Sequence, residues 1–431
     1  MKTKRKRGVL AINGGKPVMA KPLPAVHIMD KEEIAAVSRV IRGGPLSGFA
    51  GVHNDRFFGG KEVRVFEAEF AKKFKIKHAV SFNSATTALH GAIVALGIGP
   101  GDEVIVPPYT MSASATAVLM NGAVPIFADI DERTFCIDPK SVEKRITKYT
   151  KAIMAVNLLG QGADFAKLLP LAKKHNLAII EDNAQSPDAT WRGKPLGTVC
   201  DIGVFSLNVH KAIQTGEGGI LVTNNPTYAL RAQLCRNHGE AVVDDMHEYD
   251  SGPIFGSNYR MTEVVAAMAR VQLRRLDFLT KKRVALANRL TKALAKIPGL
   301  TPPFVHPDNT HVIHRYAIRV DEKKLGFSRD QLVEAMAAEG FSMSRGYVKP
   351  IYLLRLFQER KAFNRTGFPF EKNTYYNGSP DYSKGNCPVV ERMFEKEFTF
   401  TDVCQYPYTA REVDLFVAAM KKVIAHKDEL S

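Results

Sequence analysis

The feature that most restricts how this chain folds is an alternation running from residue 78 to residue 222. Short apolar or β-branched runs take turns there with helix-length segments. Residues 78–82, 103–107, 124–129, 152–156, 177–181, 202–206 and 219–222 read as strands, and 85–96, 112–120, 139–146 and 163–175 as helices between them. Strands that alternate with helices build βαβ units, and hence a mainly parallel sheet covered on both faces. The expected class is α/β, with a seven-stranded sheet.

After Asn224 the pattern changes. Residues 226–237 and 261–296 read as helices, 311–320 as a strand and 329–339 as a helix. That helix opens on a capping box, Ser328 with Gln331, and a last helix opens in the same way on Thr409 with Glu412. Ahead of the sheet, 30–42 carries Ile34, Val37 and Ile41 on one helical face, and 63–74 carries Val63, Phe66, Phe70 and Phe74. At 431 residues the chain exceeds what one small core serves. It divides on these grounds into an irregular and helical segment, 1–60, a large α/β domain, 61–280, and a smaller α+β domain, 281–431.

Composition removes several classes. Hydrophobic residues make up 45% and charged residues 24%, so the chain as a whole is not disordered. No run of about 18 apolar residues is present, and no membrane partner is expected. Five scattered cysteines with no C-x-x-C spacing argue against a disulfide framework or a metal site, and point to the reducing cytoplasm. The net charge of +16 suits nucleic acid, anionic lipid or an anionic small substrate. No helix-turn-helix, zinc-finger or aromatic-stacking motif accompanies it, so nucleic acid is not expected. Lys2, Lys4, Arg5, Lys6 and Arg7 read as a solvated tail.

In open α/β sheets ligands bind beyond the carboxyl ends of strands. Asp182 follows the fifth strand, Lys211 lies in the loop after the sixth, and Asn83-Ser-Ala-Thr86 turns the first strand into a helix. Taken singly, each is ordinary: a surface carboxylate, a solvated lysine, a capped helix. Taken together they match the needs of pyridoxal phosphate, which takes a lysine for its Schiff base, a carboxylate for its ring nitrogen and a helix N-terminus for its phosphate.

Three stretches carry a family resemblance: Glu181-Asp-x-Ala-Gln185, Ser206-x-x-x-x-Lys211-x-x-x-x-Gly216-Glu-Gly-Gly219 and Asn258-Tyr-Arg-Met-Thr-Glu263. They are similar to the motifs of the DegT/StrS group of sugar aminotransferases, dense from about 60 to 275 and looser beyond. The resemblance implies the fold type I, aspartate aminotransferase-like architecture and pyridoxal 5'-phosphate as cofactor. It implies that Lys211 forms the Schiff base and carries the proton, and that Asp182 pairs with the ring nitrogen. Gln185 would lie against the ring or contact its hydroxyl. Ser206 would hold the phosphate with Ser84, Ala85 and Thr86. Asn258 would reach the phosphate of a neighbouring subunit, which makes the expected assembly a homodimer; Arg260 and Glu263 would hold that loop.

The chain also departs from the family. Met111 stands where a stacking aromatic is usual, Asn157 where a histidine is common, and the segment after Met343 lacks its usual histidine. The resemblance implies transfer of an amino group from L-glutamate or L-glutamine to a keto sugar, nucleotide-linked. A keto cyclitol is the alternative, because Ala11-Ile-Asn-Gly-Gly-Lys-Pro-Val18 looks like the opening of the cyclitol branch. Lys349, Arg345, Arg315 and His314 are candidates for a basic pocket rim. A sugar dehydratase and a non-catalytic regulator of the same fold are the rival readings; Lys211 speaks against the first, and Lys211, Asp182 and Ser206 together against the second.

Overall fold

A computed structural model of the chain describes residues 8–245, 254–363 and 366–430; the basic run at residues 2–7 lies outside them. The main sheet has seven strands: β1 (His78–Phe82), β2 (Glu103–Val106), β3 (Val124–Phe127), β4 (Thr150–Val156), β5 (Ala178–Asp182), β6 (Ile202–Ser206) and β7 (Gly219–Thr223). Their order is β1-β7-β6-β5-β4-β2-β3. Neighbours from β3 to β6 pair in parallel, while β7 runs antiparallel to both β1 and β6. Six carboxyl ends, with the start of β7, therefore share one edge. Helices cover both faces, so β6 and β7 are buried along their whole length and read as unbroken apolar runs. β2 stops before Pro107, which has no N–H to give the ladder.

The first helix, Lys31–Gly43, opens on a capping box between Asp30 and Glu33. Its inward face differs from the expected one. Ile34 and Ile41 are 67% and 60% exposed, whereas Glu33, Ala36 and Val40 are buried. The cause is electrostatic. Gln272 Nε2 donates to Glu33 at 2.6 Å and Arg275 Nη1 at 3.1 Å, which fixes the rotation of the helix. Ala36 and Val40 then pack on Ala267 and Val271.

Those partners lie on the long helix Glu263–Leu294. Its first half packs Ala266, Leu273 and Leu276 with Phe66, Phe70 and Phe205 beside the main sheet. Its second half packs Leu286, Leu290 and Leu294 against a three-stranded antiparallel sheet, β8 (Leu300–Thr301), β9 (Tyr316–Val320) and β10 (Phe398–Thr401). Residue 280, the expected domain boundary, falls inside this helix. The later chain also serves both cores, since Ile351, Tyr352, Phe357 and Tyr382 join the cluster around β2–β5. Among the described residues no helix is long and apolar enough to cross a membrane.

The strand expected from 311 begins only at Tyr316. Ile313 has φ 53°, and the N–H groups of Val312 and His314 donate to Gly160 and Leu159. This detour ties the segment to the main domain. It also buries His311, whose Nδ1 accepts from Ile313 N at 3.0 Å.

Burial takes the His311 pKa down to about 3, against about 6.5 for a free imidazole. In that interval the unfolded chain binds the additional proton. Stability is therefore full above about pH 6.5 and falls as pH drops, by up to about 1.4 kcal/mol per pH unit. Burial shifts His314 in the same direction. Urea midpoints should decline between pH 6.5 and 4, less steeply in His311→Asn, which keeps the acceptor without titrating; equal slopes would dismiss this account.

Candidate active site

The register of three strands builds one side of the site. Gly219 pairs with Phe82 on β1 and with Ser206 on β6. A Cβ on Gly219 would sit 2.4 Å from Ala85 N and 2.5 Å from the Ser84 carbonyl. Only glycine lets the turn after β1 come this close. Ser84 caps the helix Ala85–Ala95 by accepting from Thr87 N at 3.2 Å. The free N–H groups of that first turn, at the positive end of the helix, make an anion cup.

Asp182 ends β5 and is 5% exposed. Ser114 Oγ donates to its Oδ2 at 2.8 Å and Ala184 N to its Oδ1 at 3.2 Å. Burial raises the carboxyl above its ordinary range, opposed by these two bonds and by the charge of Lys211. The reverse holds at Lys211. Burial lowers its amine, Asp182 pulls it back up and Arg315 lowers it further. Neighbouring Glu181 points the other way along the pleat. It accepts from the N–H groups of Gly197, Val199 and Cys200 at 2.6–2.9 Å and from Asn157 Nδ2 at 3.2 Å. It anchors a loop, and Asn157 belongs to that buried network.

One cavity of about 330 Å³ is lined by Ser84, Ala85, Thr86, Met111, Asp182, Ser206 and Lys211 together. Met111 is 61% exposed at its mouth. Gln185 and Asn258 stand apart. Gln185 is buried with both ends of its amide engaged: Oε1 accepts from Leu159 N at 2.9 Å and Nε2 donates to Tyr347 Oη at 2.8 Å. It orients a tyrosine that lines the cavity. Asn258 is exposed and bridges to Asn237, whose amide oxygen accepts from Arg260 Nε at 2.8 Å. Glu263 accepts from Glu62 N at 2.7 Å. Of the basic rim candidates, His314 and Arg315 line the cavity, while Arg345 and Lys349 are exposed and do not line it.

Sequence reasoning missed Ser114 and Tyr347. Ser114 lies in a Ser/Ala-rich helix start that reads as a plain cap. Tyr347 is set by tertiary contacts, its N–H donating to Tyr109 Oη at 2.9 Å and its ring lying edge-on to Tyr109 at 5.6 Å.

A cup for an anion, a buried carboxylate and a lysine of lowered basicity on one wall fit a phosphorylated pyridine aldehyde. The profile of the DegT/DnrJ/EryC1/StrS aminotransferase family matches residues 48–396. The chain belongs to that family. GDP-perosamine synthase of Caulobacter vibrioides is 41% identical over 296 residues, 68% of this chain and 78% of that protein. L-glutamine:2-deoxy-scyllo-inosose aminotransferase of Streptoalloteichus tenebrarius is 34% identical over 435 residues, 98% of this chain and 99% of that protein. The crystal structure of S. venezuelae DesV in complex with ketimine intermediate matches at TM-score 0.77 and 31% identity, covering 91% of this chain and 94% of that one. The protein is thus an aminotransferase of the pyridoxal phosphate-dependent fold, and pyridoxal 5'-phosphate is its cofactor.

The glycine contact gives a direct check on the cup. Gly219→Ala forces the Ser84–Ala85 turn outward, and should weaken pyridoxal phosphate retention at least about tenfold, roughly 1.4 kcal/mol. Equilibrium dialysis of the folded variant measures this; unchanged retention would mean that the turn does not hold the phosphate.

Proposed function

We propose that this aminotransferase takes its amino group from L-glutamate or L-glutamine and delivers it to a keto sugar carried on a nucleotide. The supporting observation is the convergence of Asp182, Lys211 and the Ser84–Ala85 turn on a cavity that Arg315 and His314 also line. The Arg315 guanidinium on the wall favours an anionic acceptor. A keto cyclitol is the second acceptor class, favoured by the end-to-end match with a cyclitol aminotransferase.

Pyridoxal phosphate supplies, when bound, a carbonyl that takes the amine and a ring that accepts electrons. The protein's groups do the rest. The Ala85 and Thr86 N–H groups and Ser206 receive the phosphate. Asp182, starved of solvent and held by Ser114, offers its carboxylate to the ring nitrogen and favours the protonated ring. Burial makes Lys211 Nζ less basic than a solvated lysine, which favours its acting as a base. Nζ would take the proton from the donor carbon that bears the amine and pass the same proton on to the cofactor, and would carry a proton the opposite way when the acceptor follows. Gln185 sets Tyr347 against the same space. Donor and acceptor react in turn at the same lysine, Lys211, which makes the kinetics ping-pong.

We further propose a homodimer in which Asn258 completes the partner's phosphate site. Asn258 is exposed and does not line the cofactor cavity, and Arg260, two residues on, donates to Asn237, the residue that Asn258 bridges. A cytoplasmic location agrees with five free cysteines.

The holoenzyme should show a visible band that L-glutamate or L-glutamine bleaches, and Lys211→Ala should abolish both bleaching and turnover while keeping the fold. A band that neither amino acid alters would favour the dehydratase or the regulator. Asn258→Ala should lose about 1.5–3 kcal/mol of cofactor affinity. Mixing and re-equilibrating it with Lys211→Ala should restore activity, since hybrid dimers then hold one complete site. No restoration would refute the shared site.

A further inference from the structure

We propose that a second chamber beside Lys211 receives a carboxylate of the amino-acid donor, and that Arg283 is the residue that binds it. The proposal rests on the donor reading above and gives that donor its place.

The chamber measures about 330 Å³ and shares His210, Lys211 and Arg315 with the cofactor cavity. Its remaining wall includes Ile28 from the N-terminal segment, Leu279 and Arg283 from the long helix, and Tyr406. Arg283 is 8% exposed, and among the described residues its Nε has no hydrogen-bond partner. Burial lowers its basicity to about 10. The carboxylate that draws on it, Asp402, is already ion-paired with Arg315, which also lies over the Phe400 ring at 4.6 Å. Lys211, Arg283, Arg315 and His210 are close enough for each to disfavour a charge on His314. Against these basic groups stand Asp402 and Asp182, and Asp182 faces the cofactor.

A buried guanidinium without full hydrogen bonding is destabilising in a folded chain. It becomes favourable when a planar anion enters and takes the fork in two parallel bonds. The chamber is at the small end of ligand sites, a size that an amino acid fills. It opens beside Lys211, the group that works on the donor carbon. A carboxylate there sets that carbon towards Nζ.

The test uses holoenzyme of wild type, Arg283→Met and Arg283→Lys, with bleaching of the visible band titrated by L-glutamate and by L-glutamine. Arg283→Met should raise the apparent donor Kd at least about tenfold, with the band itself unchanged, and Arg283→Lys should fall between. Weakening with both donors assigns the carboxylate next to the amine; weakening with glutamate alone assigns its side-chain carboxylate. Thermal melting reads the site without turnover. Glutarate should raise the Tm of wild type and not of Arg283→Met, whose own Tm should equal or exceed that of wild type because an unsatisfied buried charge is gone. An unchanged donor Kd, weakening confined to the nucleotide sugar, or a lowered Tm in Arg283→Met would overturn the proposal. Should no amino acid bleach the wild type, the donor reading fails by itself, and an absent glutarate shift would still count against Arg283.

Discussion

The site depends on a backbone approach too close for any side chain. Gly219 starts the one strand that runs against its neighbours, and its pairing with Phe82 and Ser206 brings the end of β1 to the end of β6. The turn at Ser84–Ala85 then presses on the glycine itself. Asp182 comes from β5, next to β6 in the sheet, and Lys211 from the loop beyond β6. A cup, a carboxylate and an amine separated by 127 residues of chain, from Ser84 to Lys211, are thus brought to one edge by the pairing of the strands, and the bonds of the Lys211 loop and of Ser114 set them further. Function in an open α/β sheet gathers at this edge for the same reason.

Adjacent acids on β5 show how finely the pleat sorts roles. Glu181 and Asp182 are both buried, and burial raises both pKa values. Glu181 turns to a loop whose N–H groups saturate it. Asp182 keeps two hydrogen bonds and one open side, towards Lys211. A carboxylate left partly unsatisfied is what a cationic ring nitrogen can complete, whereas a saturated one serves only as an anchor.

Much of this was legible in the chain. All seven strands appeared as apolar runs, because a sheet covered on both faces needs apolar side chains throughout. Asp182, Lys211 and Ser84 lie at or after strand ends and could be picked out by position, whereas Ser206 is read from the family resemblance. What could not be read depended on contacts between distant segments. The first helix turned Glu33 inward, and not Ile34, because Arg275 and Gln272 lie more than 200 residues later. Gln185 faces Tyr347 and Leu159, neither of which its motif announces. The late start of β9 comes from a bond pattern with Leu159 and Gly160 that local propensity does not encode.

The helix Glu263–Leu294 has a consequence for what the chain can tolerate. Its 32 residues form one continuous rod, about 48 Å long at 1.5 Å per residue. Its start follows the loop of Asn258, and Leu279 and Arg283 sit one turn apart midway along it. Each inserted or deleted residue rotates everything downstream by about 100°. A single-residue length change between 266 and 279 would swing both Leu279 and Arg283 off the chamber wall, even where the composition stayed helical and apolar. Substitution can reach this stretch; insertion and deletion cannot. The spacing from the Asn258 loop to Arg283 is therefore a fixed length in the protein, in contrast to the surface loops, whose lengths are free to drift.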